Sequence, residues 1–407
     1  MKKYIFLTSD IYRIGGIELY LFGKSKYLEN NGWKVTVIYS RLTRGSCEIS
    51  GLNKYIDGGV LEMSLPPKYW SFKRINRILE KIVNIIGEDS DEVIIESHTS
   101  STSLWGDLVA RRLNAQHFCF LCNETFDGKG KYYKEYIDFY NFKHIRKELL
   151  GINCNSLKLL FDGYKEVAED ECYSFSAMPA DPIQDVIFDE SCIRTDYNLC
   201  FCYIGRTAKD YFPNICDGVL KFALKNQEKR IQFIIVGEIG ERQEMIEKIF
   251  SKVKNVTIMP LGNMVPIPRD LFKYIDIVLA GSGSALYSAY EGVPTIVADA
   301  KTNMANGLLG YDTTDYLYAD NKAVVSDFCT AIERVLKEKP HTIKPFILDP
   351  KKSSDNYYRE QEEYIYRNLR EKDYYPIDKL SNNNNNYIAI IKLYTARAVI
   401  WIRSNLR

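Results

Sequence analysis

Apolar positions in this chain fall into two series of short runs alternating with amphipathic stretches, separated by a segment without a period. The first series opens with Lys3 to Ser9, a nearly continuous apolar run of the kind a strand buried on both faces requires. A Gly15-Gly16 loop follows, then helical spacing over Ile17 to Asn31 closed by Gly32, then the apolar run Trp33 to Tyr39. Strand, helix and strand in that order predict a βαβ unit. Gly59 to Leu65 reads as a further strand, Ser71 to Ile86 as an amphipathic helix carrying Lys73, Arg74, Arg77 and Lys81, and Glu92 to Glu96 as a strand ending at Ser97-His98-Thr99. Leu104 to Leu113 predicts a helix, His117 to Cys122 a strand, Tyr132 to Leu149 a helix, Gly151 to Asn155 a short strand, and Ser156 to Ala168 a helix with Ser156 as N-cap.

Residues 174–198, with Pro179 and Pro182, have no clear period and read as a connection. The second series places strands at Leu199 to Ile204, Ile231 to Val236, Val256 to Met259, Ile275 to Ala280 and Thr295 to Ala298. Helices are expected at Ile215 to Lys225, Glu241 to Lys252, Arg269 to Tyr274, the segment ending at Gly292-Val293-Pro294, Asn321 to Glu338 and Ser353 to Leu369. The pattern predicts an α/β chain with two doubly wound, Rossmann-like domains: 1–173, a connection at 174–198, and 199–340. A helical segment at 341–378 and an Asn-rich linker with a tail helix at 379–407 complete it.

Composition narrows the partners. Among 407 residues, 54 Lys and Arg against 53 Asp and Glu leave a net charge of +1, which argues against nucleic acid as the main partner. Ten cysteines are scattered, several in apolar runs, and the start Met1-Lys2-Lys3 leads straight into a strand, so reduced thiols and a cytoplasmic location are expected. C-F-L-C at 119–122 has no second Cys/His pair nearby and reads as buried thiols rather than as a metal site.

Candidate chemistry gathers where strands end. In open α/β sheets ligands lie at the carboxyl edge, which makes His98, Asn123 and Glu124 candidates by position, although a lone histidine there also fits a structural, hydrogen-bonded role. The stretch D-I-V-L-A-G-S-G-S-A-L-Y-S-A-Y-E-G-V-P at 276–294 reads as strand, glycine loop and helix. Gly281 and Gly283 leave no Cβ to block a ligand, and Ser282 and Ser284 are expected to cap that helix, whose first N–H groups, at Ser282, Gly283 and Ser284, would then face an anion such as a phosphate.

Two such domains resemble the GT-B glycosyltransferases, and within them the retaining family 4 enzymes, also called group 1. The resemblance rests on G-G-I-E-L-Y-L-F-G-K-S-K-Y-L-E-N-N-G-W-K-V-T-V-I at 15–38, Y-I-G-R-T-A-K at 203–209, I-I-V-G at 234–237, P-L-G at 260–262 and the stretch through G-V-P at 294. It covers roughly residues 3–340 and implies two domains facing a cleft. It also implies Arg206 and Lys209 on the donor diphosphate, with Gly237, Ser282, Gly283, Ser284 and Tyr287 on the donor side and Gly15 and Gly16 in an N-terminal loop. The chain departs from the pattern in four ways. Of the family's two glutamates eight residues apart before G-V-P, the first has no counterpart here. Tyr287 stands where the family has a glutamate, Asn123-Glu124 replace a catalytic histidine, and Arg206 and Lys209 lie closer together than is usual; His98 matches a histidine often found one strand earlier.

The implied function is retaining, metal-independent transfer, without a cofactor, from a nucleotide-sugar to a saccharide acceptor, lipid-linked, in bacterial surface-polysaccharide assembly. Alternatives from other classes are a non-catalytic GT-B binding partner, separated by donor hydrolysis, and a sugar-nucleotide epimerase, separated by product analysis without acceptor. Tyr387 to Arg407 forms a loosely amphipathic basic helix in which Lys392, Arg403 and Arg407 fall within about 60° of one another. Charges interrupt it too often to span a bilayer, so it fits either an anionic membrane surface or docking on protein.

Overall fold

Continuous apolar strands sandwiched between helices account for most of the core. The computed structural model describes residues 1–11, 14–42, 49, 51–87, 91–122, 133–175, 182–189, 193, 196–338, 354–380 and 385–405. The chain divides into two compact units, Met1–Ala180 with Ser353–Arg407, and Asp181–Lys352.

In the first unit six strands, β1 (Lys2–Ile11), β2 (Trp33–Leu42), β3 (Ile56–Gly59), β4 (Glu92–Ser97), β5 (Gln116–Leu121) and β6 (Leu149–Gly151), form one parallel sheet in the order β3-β2-β1-β4-β5-β6. Its helices are α1 (Gly16–Asn30), α2 (Phe72–Ile86), α3 (Ser100–Leu113), α4 (Tyr133–Ile145) and α5 (Cys154–Leu160). The apolar run of β1 serves both faces. Ile5 and Leu7 point into a cluster with Ile75, Ile78 and Leu108, while Tyr4 and Phe6 join Tyr20, Leu21 and Phe120 on the other side. This is why the run is continuous rather than alternating.

Several boundaries differ from the sequence reading. The strand expected at Gly59 to Leu65 is Ile56–Gly59, and a 3-10 turn at Leu61–Ser64 takes its place. The expected strand Gly151 to Asn155 ends at Gly151, because Asn153 starts α5; its side chain accepts from the Ser156 backbone N–H at 2.8 Å, so Asn153 and not Ser156 is the cap. Cys154 and Cys172 are joined by a disulfide, which corrects the expectation of uniformly reduced thiols; Cys119, Cys122, Cys200, Cys202, Cys216 and Cys329 are free.

The second unit begins with β7 (Ile183–Gln184), which pairs with β11 (Ile267–Pro268) in a small ribbon. Its main sheet holds β8 (Leu199–Ile204), β9 (Ile231–Val236), β10 (Val256–Gly262), β12 (Ile277–Ala280), β13 (Thr295–Ala298) and β14 (Ala305–Leu308) in the order β10-β9-β8-β12-β13-β14. All pair in parallel except β14, an antiparallel edge strand on β13. Helices α6 (Phe212–Lys225), α7 (Gln243–Phe250), α8 (Ser282–Tyr290) and α9 (Phe328–Glu338) belong to this unit, and Arg269–Tyr274 is a 3-10 segment. Helix α9 is shorter than the expected Asn321 to Glu338.

The chain then returns to the first unit through α10 (Ser354–Arg367), α11 (Ile377–Leu380) and α12 (Tyr387–Asn405). Tyr358 and Ile365 of α10 are buried in the α1 side of the core, and Trp33 Nε1 donates to Glu362 at 2.9 Å. Tyr375 and Leu380 join the opposite cluster, against which Ile390 and Leu393 of α12 also pack.

Candidate functional site

In the main sheet of the second unit, β8 and β12 are neighbours, yet the chain leaves β8 toward β9 and enters β12 from the far side. That reversal is a topological switch point, where the loops after two adjacent strands diverge and leave a crevice. The loop after β8 carries Gly205 and Arg206; the loop after β12 carries Gly281 and the start of α8.

Side chains beneath these loops hold their backbones in place. The buried Tyr203 hydroxyl donates to the Arg206 carbonyl at 2.8 Å, and burial pushes its phenol well above the usual range, so it stays a neutral donor. Thr207, also buried, donates to the Glu238 carbonyl at 2.7 Å and so ties this loop to the one after β9. Gly237, at φ +151°, comes so close that an added Cβ would lie 2.0 Å from the Gly205 carbonyl oxygen. On this pinned frame the Arg206 side chain is exposed, and Lys209 is half-buried in the same turn, its N–H donating to the Arg206 carbonyl at 3.1 Å.

Helix α8 starts without a side-chain cap: Gly281 is its N-cap, in extended conformation, so neither Ser282 nor Ser284 caps it as expected, because both lie inside the helix. A Cβ on Gly281 would meet the Ala298 carbonyl at 2.8 Å and the Tyr211 hydroxyl at 3.1 Å, so this position must be small. Ser282 has φ +61°, a left-handed conformation that costs a non-glycine residue about 1–3 kcal/mol. Its N–H is already given to the Tyr316 carbonyl at 2.7 Å, so this amide is engaged within the protein while those of Gly283 and Ser284 follow it in the first turn. One turn on, the half-buried Tyr287 lays its ring against Gly283, 3.2 Å from where a Cβ would stand. Glu291, at the helix's other end, is paired with Arg269, which also binds Asp185 at 2.9 Å. Arg206, Lys209, Gly237, Ser282, Gly283, Ser284 and Tyr287 therefore share one sheet edge. Tyr203, Thr207 and Tyr211, which frame it, carry no local sequence signal beyond their nearness to the Gly-Arg motif.

The first unit has the matching switch point between β1 and β4, and the structure treats it differently. Gly15 caps α1 without a side-chain bond, but the carboxylate of Glu18 folds back toward it, 2.4 Å from an imagined Gly15 Cβ. Glu18 is fully buried, so a protein carboxylate already stands at this helix start beside Gly15 and Gly16. His98, after β4, is 1% exposed, ringed by Phe6 and Tyr20, and its Nε2 lies 2.9 Å from Glu96 Oε1. Glu96 also accepts from Tyr4 and Lys24 at 2.5 Å and from Tyr20 at 2.8 Å. Burial alone would raise the Glu96 carboxyl, but Lys24 and His98 hold it well below the usual carboxylate range. His98 thus belongs to a buried ionic network rather than to an open edge. Asn123 and Glu124 lie outside the described residues.

A third constellation went unmarked in the sequence because it is assembled from distant strands and helices. Ser97 Oγ lies 2.8 Å from His117 Nε2, and His117 Nδ1 lies 3.7 Å from Asp107. The order resembles a hydrolytic triad, but all three residues are buried, and Asp107 is bound by Lys143 at 2.8 Å and by the Tyr375 N–H at 3.0 Å. A nucleophile sealed from solvent has no substrate to attack, and the array is a polar core. Among the described residues no group of His, Cys, Asp and Glu is arranged to hold a metal ion, and no helix is long and apolar enough to cross a membrane.

No family model matches this sequence, and no curated protein does. Solved structures match over nearly the whole chain. The apo form of the lipopolysaccharide outer core galactosyltransferase WaaB is 14% identical, covering 90% of this chain and 100% of its own, at TM-score 0.59. A glycosyltransferase from Rickettsia africae is 13% identical over 97% of this chain and 98% of its own, at 0.58. HepE from Anabaena, in complex with UDP-glucose, is 12% identical over 89% and 95%, at 0.56. At these identities the likeness is one of fold.

Proposed function

We propose that this chain, whose fold is that of the GT-B glycosyltransferases, moves a sugar from a nucleotide-sugar donor to a saccharide acceptor. The observation that carries the reading is the pairing, on adjacent strands at a switch point, of an exposed arginine on a pinned backbone with an uncapped helix start. Breaking the bond between an anomeric carbon and a diphosphate builds negative charge on the leaving group. Fixed cations and aimed N–H groups stabilise that charge without a nucleophile on the protein. Arg206 and Lys209 supply the cations, and Gly283 and Ser284 the amides. Tyr287 offers a hydroxyl or ring to the nucleoside. A sugar nucleotide is what the HepE structure holds, and a donor of that class suits this edge.

Transfer with retention and without a metal or other cofactor is part of the proposal. The leaving phosphate itself takes the acceptor's proton, which fits an N-terminal unit whose His98 is locked by Glu96. The acceptor is a saccharide carried on lipid, in capsule, exopolysaccharide or lipopolysaccharide assembly at the cytoplasmic face of the membrane. The burial of His98 also favours a second reading, a GT-B protein that binds sugar nucleotides without turning them over. Purified protein incubated with UDP-, GDP- and dTDP-sugars separates the two: slow donor hydrolysis supports the transferase, and saturable nucleotide binding with no hydrolysis or transfer supports the binder. Absence of binding to every nucleotide sugar sinks both.

A further inference from the structure

We infer that the outward face of α12, with the adjoining start of α2, is an interface for an anionic lipid surface. Helix α12 is apolar on two sides. Ile390 and Leu393 pack on the first unit's core, whereas Ile388 and Ile391 are 70% and 63% exposed and Val399 is 42% exposed. At 100° per residue these three fall within an arc of about 80°, turned away from the packed side. Single exposed apolar residues are ordinary, but a stripe along a docked helix is not.

The helix is fixed where it meets α2. The Asn386 N–H donates to the Tyr69 carbonyl at 2.8 Å, and the Ser71 N–H to Asn385 Oδ1 at 2.7 Å. Phe72 (49%) and Tyr387 (67%), each next in sequence to one of these contacts, are both exposed, and α2 carries the exposed Lys73, Arg77 and Lys81; the acids nearby are Glu80 on α2 and Glu62, which pairs with Arg74 at 3.0 Å.

Charge identifies the occupant. Residues 379–407 contain Lys379, Lys392, Arg397, Arg403 and Arg407 and no Asp or Glu. A second copy of this chain would set those cations against their own kind. An apolar stripe beside the exposed Lys392, with the exposed Lys73, Arg77 and Lys81 on α2, instead matches a leaflet whose headgroups are anionic and whose acyl boundary takes Ile and Phe side chains. The interface is independent of the donor edge, so each can fail alone.

The test is sedimentation of the full chain with vesicles of phosphatidylglycerol and, separately, of phosphatidylcholine, beside Ile388→Asp/Ile391→Asp and Lys73→Glu/Arg77→Glu/Lys81→Glu variants. The substituted side chains are exposed, and circular dichroism and unchanged UDP binding serve as folding controls. The full chain is expected to bind phosphatidylglycerol, with each variant weakened at least about tenfold, since every Lys or Arg near such a surface is worth roughly fivefold. No sedimentation with either lipid overturns the inference, and so does sedimentation indifferent to the substitutions. A concentration-dependent dimer lost on Ile388→Asp would also overturn it, in favour of a second copy.

Discussion

Arg206 is exposed, and its main chain is held by Tyr203 and by the turn through Lys209, so the side chain stands on a fixed base. A guanidinium presented in this way binds a diphosphate bidentately at little ordering cost. Arg206→Ala is expected to lower kcat/KM for donor consumption by about 2–4 kcal/mol, or roughly 30- to 1000-fold, with the melting temperature unchanged. Calorimetric UDP binding equal to wild type would remove Arg206 from the site. The residue was legible from Gly-Arg placed at a strand end, and Ser282 to Ser284 from the glycine-serine loop. Glu96 was not: its four partners lie on β1, α1 and beyond β4, and only the assembled sheet brings them together. The same holds for Glu18, whose place beside Gly15 depends on one side chain turning back along its own helix.

At the level of elements, α1 and α8 begin at equivalent switch points but differ in what faces their amides. Helix α1 has the Glu18 carboxylate, while α8 has no side-chain cap and a strained Ser282. A helix start left without its own anion is suited to one supplied by a ligand. Gly283→Val tests this, since the new side chain presses on Tyr287 and crowds the amides above the sheet edge. Donor affinity is expected to drop at least tenfold while thermal stability falls by only about 1 kcal/mol. The opposite pattern, with stability lost and affinity kept, would make the loop a packing device. Long apolar runs such as β8, β9 and β13 were readable because burial on both faces leaves no competing period. The antiparallel β14 was not, because Ala305–Leu308 is too short and too weakly apolar to announce itself. The expected strand after Gly151 gave way to α5 because a cap at Asn153 outweighs two apolar neighbours.

The first unit carries a set of ionic groups deep in its core, Lys24, Glu96, Asp107, His117, Lys143 and Glu148 among them. Burial, with Lys143 nearby, pushes the His117 imidazole down to about 4, and Asp107, which burial would raise, is held at about 2 by Lys143 and His117. An unfolded histidine takes a proton near pH 6.5, so the unfolded state binds more protons than the native one between about 6.5 and 4, and stability drains away as pH falls through that window. Below about 4 the depressed carboxyls of Asp107 and Glu96 remove more. Urea midpoints measured from pH 7.5 to 3.5 should fall steadily from about 6.5, and a flat profile down to 4 would refute this. One further consequence lies in the division of the chain, since the first unit takes Tyr358, Ile365, Tyr375 and Leu380 from its far end. On the ribosome, residues 1–180 emerge first but must wait until all of 181–352 has been made. At about 5–20 residues per second that delay is roughly ten to thirty seconds, long enough for the contiguous unit to close before the one that precedes it. Nascent chains arrested after residue 352 should therefore show a protease-resistant second unit beside a digestible first one, and equal protection of both would show that the early segment closes without its C-terminal helices.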